Sequence, residues 1–442
     1  MVKFILKTVL FLLAVCTISV AKGQRWQIFD RMPYPVAGAE VVVYEDKIFF
    51  FGGYEEENGP PIDKIQVYNP KECVQQRWSL AGRMQIPRSN FVARLHDHTV
   101  YMVGGTTGYG RENVSSMETW NFKGGGKSLP EDIVLNRTGS TGEIWNDYFI
   151  IIGGYNNTRP DNSMGYLVAY NLDRGESLQF LGHFGLEPYN QASVLVGDDI
   201  YVFGGVRAGI SNRIYKIELN QLDWENSPPV LSAIPRIYPE LPMPLSAMEA
   251  VQTDPDTVFL IGGYNEDHRA LRSTSKFVIK SKNSGYEHMK APSLNFARRE
   301  SMAAKLDTVV YVFGGVGEHG QVLGSVEALI DTVIVDSCGN TDVVKFAIDD
   351  LSYILKQNYP NPFNASTTIE FELRGREKVR LDIYSSHGRF IKNLVFEELP
   401  AGRFRYVWDG TLFNGQPVPS GVYMYKLSTN TETETRKMLL VK

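Results

Sequence analysis

The sequence predicts an all-β protein built largely from an internal repeat, and three features of the chain support this prediction. Six Gly-Gly pairs each end a short apolar run, and their first glycines are 52, 49, 51, 58 and 52 residues apart. A period of about 50 residues is typical of stacked supersecondary units that bury their faces against one another. The chain also contains 40 glycines and 22 prolines, which suit short strands joined by tight turns. The pairs are Gly52-Gly53, Gly104-Gly105, Gly153-Gly154, Gly204-Gly205, Gly262-Gly263 and Gly314-Gly315.

The composition fits a large globular chain and gives no support for nucleic-acid binding. Of the 442 residues, 43% are hydrophobic and 12% are aromatic, which is enough for a large core and a second domain. The formal net charge is −5, and the lysines and arginines are scattered rather than grouped into a basic stripe. We therefore expect no nucleic acid among the partners.

The N-terminal segment has the pattern of a secretory signal peptide. Two lysines precede an apolar stretch at residues 9–20, and small residues follow at Ala21 and Gly23. Cleavage is expected after either Ala21 or Gly23, which assigns residues 1–23 to the signal. An uncleaved anchor is the alternative, but the apolar run is shorter than the ~20 residues that a spanning helix needs. We expect an exported protein with no transmembrane helix after signal cleavage.

Each repeat is predicted to form four strands. In the second repeat, residues 90–95 and the apolar residues 99–103 flank a turn, and a third strand follows near residues 116–122. A strand that is apolar throughout is typical of burial on both faces. Aromatic residues recur after the glycines, and Trp78 and Trp224 are expected to mark fourth strands. We interpret these aromatics as packing groups between adjacent sheets rather than as a ligand stack.

A Gly-Gly pair after an apolar strand, followed by tyrosine and then tryptophan, resembles the kelch motif. Copies in register cover residues 24–340, and the resemblance implies a six-bladed β-propeller with four strands in each blade. The ring must close, because open sheet edges would be exposed. The sixth repeat lacks an aromatic fourth strand, whereas residues 25–29 precede the first repeat and carry Trp26. We therefore predict that this N-terminal strand completes blade six.

The chain changes character after a linker predicted at residues 341–354. Alternating apolar and polar residues with glycine turns over residues 355–442 predict a small Ig-like β-sandwich. Several pieces in their order resemble the type A sorting domain of the type IX secretion system. They are Asn361-Pro362-Phe363-Asn364, Trp408-Asp409-Gly410, Pro419-Ser420-Gly421-Val422-Tyr423 and Arg436-Lys437-Met438. The resemblance implies that the type IX secretion machinery reads this domain and delivers the chain to the extracellular space or the outer-membrane surface. A plain structural Ig-like module is the alternative.

Alignment of the repeats on their first glycines places three arginines at one position: Arg88, Arg137 and Arg298. Two residues further along, on the same face of a strand, the aligned residues are Gly38, Asn90, Gly139, Asn190, Met248 and Glu300. We predict a polar ring of ligand-binding residues at the propeller mouth, formed by Arg88, Asn90, Arg137, Asn190, Arg298 and Glu300. Arginine forks there would suit a carboxylate or an acidic sugar. The alternative is that the arginines make local hydrogen bonds within the repeats. The loops after the glycines, at residues 54–58, 155–157 and 264–269, are expected to be mainly solvated.

No metal or cofactor is expected. His96 and His98 flank a tight turn, but no third ligand is apparent, and neither a nucleophile elbow nor a phosphate-cradling loop is present in the sequence. Cys73 and Cys338 follow the third strands of repeats one and six, which a closed ring would make neighbours. They are candidates for a disulfide in an exported chain, and two free thiols are the alternative. We expect the chain to act as a monomer.

These observations favour a secreted or cell-surface propeller that acts as a binding module for an extracellular glycan or protein. An enzyme of the sugar mutarotase or epimerase type, using the propeller mouth, is the alternative, because another bacterial kelch family isomerises sialic acid. Glu300 would then be the acid–base candidate beside an arginine clamp. Binding is the leading hypothesis. A fold of this kind hosts many functions, so the fold alone does not identify the ligand.

Overall fold

The fold is described by a computed structural model for most of the chain outside its N-terminus. The described residues are 24–107, 112–131, 136–156, 167–179, 189–222, 224, 236–237, 239–280, 285–330, 353–373, 377–386, 388–400, 402–429 and 433–441. The predicted signal peptide, Cys338 and linker residues 341–352 lie outside them. Within these ranges the regular elements are strands and two short 3-10 turns, Val74–Gln76 and Leu219–Gln221. No helix in the described ranges has the length and apolarity needed to cross a membrane.

The repeat region forms six four-stranded antiparallel sheets, here called blades one to six. Blade one contains β2 (Glu40–Tyr44), β3 (Lys47–Phe51), β4 (Lys64–Tyr68) and β5 (Trp78–Arg83). Blade two contains β6 (Val92–His96), β7 (Thr99–Val103), β10 (Ser116–Asn121) and β11 (Gly125–Glu131). Blade three contains β12 (Thr141–Trp145), β13 (Tyr148–Ile152), β14 (Leu167–Asn171) and β15 (Glu176–Gln179). A small extra ribbon joins β8 (Thr106–Thr107) to β9 (Glu112–Asn113).

The second half of the repeat region follows the same plan. Blade four contains β16 (Ala192–Val196), β17 (Asp199–Phe203), β18 (Ile214–Glu218) and β19 (Arg236–Ile237). Blade five contains β20 (Glu249–Asp254), β21 (Thr257–Ile261), β22 (Thr274–Ile279) and β23 (Tyr286–Lys290). Blade six contains β24 (Met302–Leu306), β25 (Val309–Phe313), β26 (Ser325–Ile330) and β1 (Arg25–Arg31). The first strand of each blade contacts the first strands of the blades on either side, in the cyclic order β2, β6, β12, β16, β20 and β24. The six sheets therefore surround a central axis as a closed β-propeller.

The N-terminal strand closes the ring, as the sequence predicts. Strand β1 pairs antiparallel with β26, with Trp26 opposite Leu329. The Trp26 side chain is only 5% exposed and packs in a cluster with Phe259 and Val310. A strand from one end of the chain thus completes a sheet from the other end of the repeat region, which removes two open edges.

A buried ion pair fixes the closing strand to blade one. Asp30, in β1, lies 3.5 Å from the guanidinium of Arg77, and both side chains are almost fully buried. The same guanidinium stacks over the ring of Phe29, 4.5 Å from its centroid. Burial is the main cause that raises the pKa of Asp30 to about 6, although Arg77 opposes it. The closing strand is therefore held by contacts on both of its flanks.

The Gly-Gly pairs are joints between blades rather than only strand ends. The backbone N–H of Gly53 donates to the carbonyl of Arg88 in blade two, 2.9 Å away. A Cβ on Gly52 would lie 2.4 Å from that same carbonyl oxygen. Gly52 also has φ of +62°, which side chains disfavour. The repeated glycines are thus required by a close approach between neighbouring backbones.

Aromatic side chains pack between blades, as predicted. Tyr68 lies 4.7 Å from the Trp78 ring of its own blade and 5.4 Å from the Phe313 ring of blade six. Trp78 begins the fourth strand of blade one. The prediction that Trp224 marks a fourth strand is wrong, because it lies outside the strands and β19 follows later in the chain. Trp224 instead stacks on Trp145 of blade three, at 5.4 Å.

The C-terminal residues form two sheets around a core of their own. One sheet contains β27 (Tyr353–Leu355), β28 (Thr367–Leu373) and β31 (Gly402–Trp408). The other contains β29 (Glu377–Ser385), β30 (Phe390–Leu399), β32 (Gly421–Ser428) and β33 (Thr433–Leu440). In β28 every second residue is buried, and the shared cluster includes the fully buried Trp408 and Tyr425. The predicted all-β fold, a propeller followed by a small β-sandwich, is confirmed.

Candidate functional site

The axis of the propeller is encircled by a closed ring of backbone hydrogen bonds. One residue from each blade takes a positive φ of 49–62°, and its N–H donates to the carbonyl of its counterpart in a neighbouring blade, at 2.7–3.0 Å. This axial ring consists of Gly38, Asn90, Gly139, Asn190, Ala247 and Glu300. Glycine has no Cβ, and asparagine tolerates positive φ better than most residues do. These preferences explain why two glycines and two asparagines occupy four of the six positions.

The axial ring corrects one residue of the sequence alignment. Ala247, and not Met248, takes the blade-five position. The pairing of β20 with β21 slips between Gln252 and Asp254, so blade five carries one more residue between this position and its glycine pair. A fixed spacing back from the glycine cannot show such a bulge.

Four tyrosines stand beside the axial ring and are here called the tyrosine rim. Tyr54, Tyr155 and Tyr264 each follow a glycine pair and bridge to the residue just before an axial-ring residue, namely Ala37, Thr138 and Ser246. Tyr189 precedes Asn190 and bridges to Val206, the residue after the blade-four glycines. The rings of Tyr155 and Tyr189 are 4.9 Å apart. The rim therefore gathers aromatic surface from four blades.

Glu300 is held between the rim and a neighbouring arginine. The Tyr54 hydroxyl donates to Glu300 Oε2 at 2.5 Å, and Arg299 Nη1 donates to Oε1 at 2.5 Å. Arg299 also pairs with Glu57, and its guanidinium lies 6.0 Å from the Tyr264 ring centroid. Burial and the Glu300 charge raise the pKa of Tyr54 far above its ordinary value. Both oxygens of the Glu300 carboxylate are thus engaged, and the phenol stays protonated as a donor.

The amides of the axial ring complete this end of the channel. Asn90 and Asn190 are half-buried and line a small cavity of about 90 Å³ together with Glu300. Burial is the main cause that raises the pKa of Tyr155, with further contributions from Tyr189 and Glu300. We call the tyrosine rim together with Asn90, Asn190, Arg299 and Glu300 the mouth.

The three aligned arginines do not reach the mouth, which corrects the sequence prediction. Arg88, Arg137 and Arg298 are each 0% exposed. Each donates through Nη1 to the carbonyl of the first glycine of its own blade, at 3.1, 2.9 and 2.8 Å. Of the two interpretations of these arginines, local hydrogen bonding is the one that the geometry supports.

Buried carboxylates on the third strands explain where two of these arginines point. Arg298 Nη2 lies 2.6 Å from Glu327, and Arg88 Nη2 lies 3.3 Å from Glu118. Glu327 also accepts hydrogen bonds from the backbone N–H groups of Asn295 and Phe296, at 2.6 and 3.1 Å. Each pair therefore fastens the segment that leads into its blade. The partners Glu118 and Glu327 lie 30 and 29 residues after their arginines, a spacing that the sequence analysis did not use.

The tyrosine rim was not predicted from the sequence, although a signal was present. Tyr54, Tyr155 and Tyr264 directly follow three of the glycine pairs. The loops that they begin were expected to be mainly solvated, yet Tyr54 is only 7% exposed. A repeated aromatic residue at the same offset from the glycines is the feature that could have identified the rim.

The remaining sequence candidates have simple placements. Among the described residues, no group of three or more His, Cys, Asp or Glu side chains is arranged to hold a metal ion. His98 Nδ1 lies 3.0 Å from the Tyr44 hydroxyl, and His96 lies 3.6 Å from Asp147. Cys73 is disulfide-bonded, whereas Cys338 lies outside the described residues, so their pairing stays a prediction.

The closed ring of four-stranded sheets joined by glycine pairs defines the repeat region as a β-propeller. The repeat region is similar to an F-box/kelch-repeat protein of Arabidopsis thaliana, with 27% identity over 165 residues, 35% of this chain and 43% of the relative. It is also similar to Kelch-like protein 40 of Mus musculus, with 30% identity over 21% of this chain and 14% of the relative. The chain spans less than half the length of these curated relatives.

Structural and family comparisons agree with both parts of the fold. The solved structure of YjhT matches with a TM-score of 0.53 and 12% identity, covering 70% of this chain and 97% of that structure. At that identity the likeness concerns the fold alone. Residues 360–433 match the FlgD Ig-like domain family, which agrees with the β-sandwich formed by the C-terminal strands.

Proposed function

We propose that this protein is an exported propeller that binds an extracellular saccharide at its mouth. The observation that carries the proposal is the tyrosine rim, whose four residues bridge to positions next to the axial ring and include the contacting rings of Tyr155 and Tyr189, 4.9 Å apart. A sugar ring has an apolar C–H face and an edge of hydroxyl groups. Aromatic rings suit the face, and amide and carboxylate groups suit the edge.

The charges at the mouth favour a neutral saccharide over an acidic one. Arg299 lies between the carboxylates of Glu57 and Glu300, which together outnumber it. The buried Arg88, Arg137 and Arg298 offer no fork to a ligand carboxylate. An anionic sugar would therefore meet net negative charge from these mouth residues.

Binding is favoured over catalysis because Glu300 is poorly placed as a general acid. A general acid must hold a proton within reach of the substrate. Both Glu300 oxygens instead accept hydrogen bonds from Tyr54 and Arg299, so protein donors already occupy both oxygens. Exchange of sugar anomers followed by NMR, with wild type and Glu300→Gln, separates the two functions. Catalysed exchange that Glu300→Gln abolishes would establish the mutarotase alternative.

A glycan array probed with the full mature chain tests saccharide binding. We expect a restricted set of neutral glycans to be retained, and Tyr155→Ala to weaken binding to them by at least about tenfold, or ~1.4 kcal/mol. Tyr359→Ala is the matched control, because Tyr359 is 81% exposed and belongs to the C-terminal part of the chain. The proposal would be contradicted if the chain bound no glycan on the array, or if Tyr155→Ala and Tyr359→Ala weakened glycan binding equally.

We also propose that residues 355–442 direct export through the type IX secretion machinery, with delivery to the cell surface or medium. The Ig-like sandwich and the ordered sequence pieces from Asn361 to Met438 support this proposal. Expression of the chain with and without residues 355–442 in a bacterium that has this secretion system tests it. We expect the truncated chain to stay in the periplasm. Equal release of both forms would favour the plain structural module.

A further inference from the structure

The channel contains a larger cavity along the first strands of the blades, which adjoins the small cavity at the mouth and shares several lining residues with it. Its volume is about 350 Å³, within the range of small-molecule sites. We call this cavity the channel chamber. Five of the six first strands contribute one charged side chain each: Glu40, Arg94, Glu143, Glu249 and Lys305. The sixth, β16, contributes Ser193.

The charges of the channel chamber are not balanced. Arg94 lies 3.1 Å from Glu40 and makes two contacts of 3.3 Å with Glu143. Lys305 donates to a backbone carbonyl, that of Thr253. The Glu249 side chain makes no hydrogen bond or ion pair among the described residues. Among the described residues, three carboxylates of the chamber therefore face two cations, and Glu249 interacts with Arg94 only through Coulombic attraction, without an ion pair.

Buried polar atoms without partners line the same chamber. Ser140 Oγ and Gln191 Oε1 are inaccessible to solvent and have no hydrogen-bond partner, and both residues line the chamber. The two residues are 8% and 7% exposed. Because a buried polar atom left unpaired is costly, these atoms indicate a polar occupant with groups that donate hydrogen bonds. These two unpaired atoms are a separate observation from the excess of carboxylates.

The pKa values of two chamber carboxylates, Glu40 and Glu249, are raised, which agrees with a shortage of positive charge around them. Burial is the main cause that raises the pKa of Glu40 to about 7, with Glu143 adding to the rise and Arg94 opposing it. Burial, and then the charge of Glu40, raise the pKa of Glu249 well above its ordinary value, again against Arg94. A bound cation would stabilise both carboxylates in their charged form.

We propose that the channel chamber binds a small protonated amine that also carries hydroxyl groups. The ammonium would lie against Glu249 and Glu40, and the hydroxyl groups would pair with Ser140, Gln191 and Ser193. The occupant is of the amino-polyol or amino-sugar class, since such a molecule presents a cation and several hydroxyl donors within this volume. This site goes beyond saccharide binding at the mouth and does not depend on it.

Titration calorimetry with the full mature chain tests the site. The probe is 1-amino-1-deoxysorbitol, and sorbitol is its neutral counterpart of nearly equal size. We expect the amine to bind and sorbitol to bind at least about tenfold more weakly, since hydrogen bonds to charged groups are stronger than neutral ones. Affinity for the amine should rise about tenfold from pH 6 to pH 8, because a carboxylate with pKa about 7 becomes ionised over that interval.

Two variants connect the binding to the chamber. Glu249→Gln should weaken amine binding at pH 8 by about tenfold. Glu287→Gln is the matched control, because Glu287 lies on the outer strand of the same blade and is 55% exposed. The control should bind like the wild type. Glu249→Gln should also keep or raise the melting temperature at pH 8, since it removes a carboxylate whose charged form burial disfavours. This measurement shows that the variant is folded.

Several results would overturn the proposal. They are absence of amine binding at millimolar concentration, equal affinity for the amine and sorbitol, or amine binding that Glu249→Gln leaves unchanged. The last result would place the amine elsewhere, for example at the mouth. Saccharide binding on the array can succeed or fail whatever the outcome here, so the two proposals fail separately.

Discussion

Replacement of the buried carboxylate of Glu327 in blade six should strongly lower the free energy of unfolding of the propeller. Glu327 and Arg298 are both 0% exposed and lie 2.6 Å apart. In Glu327→Gln the guanidinium loses its counter-charge, and an amide N–H₂ group must face a buried donor. Breaking a buried pair by removing one partner costs about 3–5 kcal/mol. The hydrogen bonds from Asn295 and Phe296 to the same carboxylate argue for the upper part of that range.

Urea unfolding of the full mature chain, followed by tryptophan fluorescence, measures this loss in the propeller transition. Glu287→Gln, an exposed carboxylate on the outer strand of blade five, should stay within about 0.5 kcal/mol of the wild type. The double variant Arg298→Met with Glu327→Leu should recover a large share of the loss, since no buried charge then remains unpaired. A loss below about 1 kcal/mol in Glu327→Gln would refute the structural role assigned to the aligned arginines.

Three further predictions concern the ring itself. Gly52→Ala should destabilise the propeller by about 2–3 kcal/mol, because its Cβ would lie 2.4 Å from the backbone carbonyl oxygen of Arg88 at a φ of +62°. Gly197→Ala, with φ of +63° and no atom within 4 Å, isolates the conformational cost of about 1 kcal/mol. Equal melting temperatures for the two variants would contradict the close approach. Asp30 has a folded-state pKa of about 6, above its ordinary value of 3.8. Because the folded state binds the proton more tightly, the free energy of unfolding should fall as pH rises from about 4 to 6. Asp30→Asn should flatten that part of the stability profile, and an unchanged slope would contradict this role of Asp30. Deletion of residues 24–31 should lower the melting temperature strongly, because blade six would lose β1, and an unaltered value would show that β1 does not close the ring.

The architecture could be predicted from the sequence because its signals are local and repeated. Each glycine pair ends an apolar strand, and the missing fourth strand of the last repeat matches a spare strand with Trp26 at the start of the chain. Counting strands therefore sufficed to predict how the ring closes. The alternation of buried residues in β28 likewise follows directly from the sequence.

The site was harder to predict because side-chain direction depends on partners from distant parts of the sequence. Spacing placed Arg298 in the segment that leads into β24 but could not show that its side chain binds a glycine carbonyl and Glu327 inside the blade. The mouth was missed for a related reason. Tyr155 and Tyr189 lie 34 residues apart in the sequence, and only the curvature of the ring brings their side chains into contact.

A crystal structure of the full mature chain with a neutral glycan retained on the array tests the central claim most directly. We predict that a sugar ring lies against Tyr155 and Tyr189, with its hydroxyl groups on Asn90, Asn190 or Glu300. Density for the glycan on an outer strand of a blade, or on the C-terminal sandwich, would contradict the assignment of the mouth as the binding site.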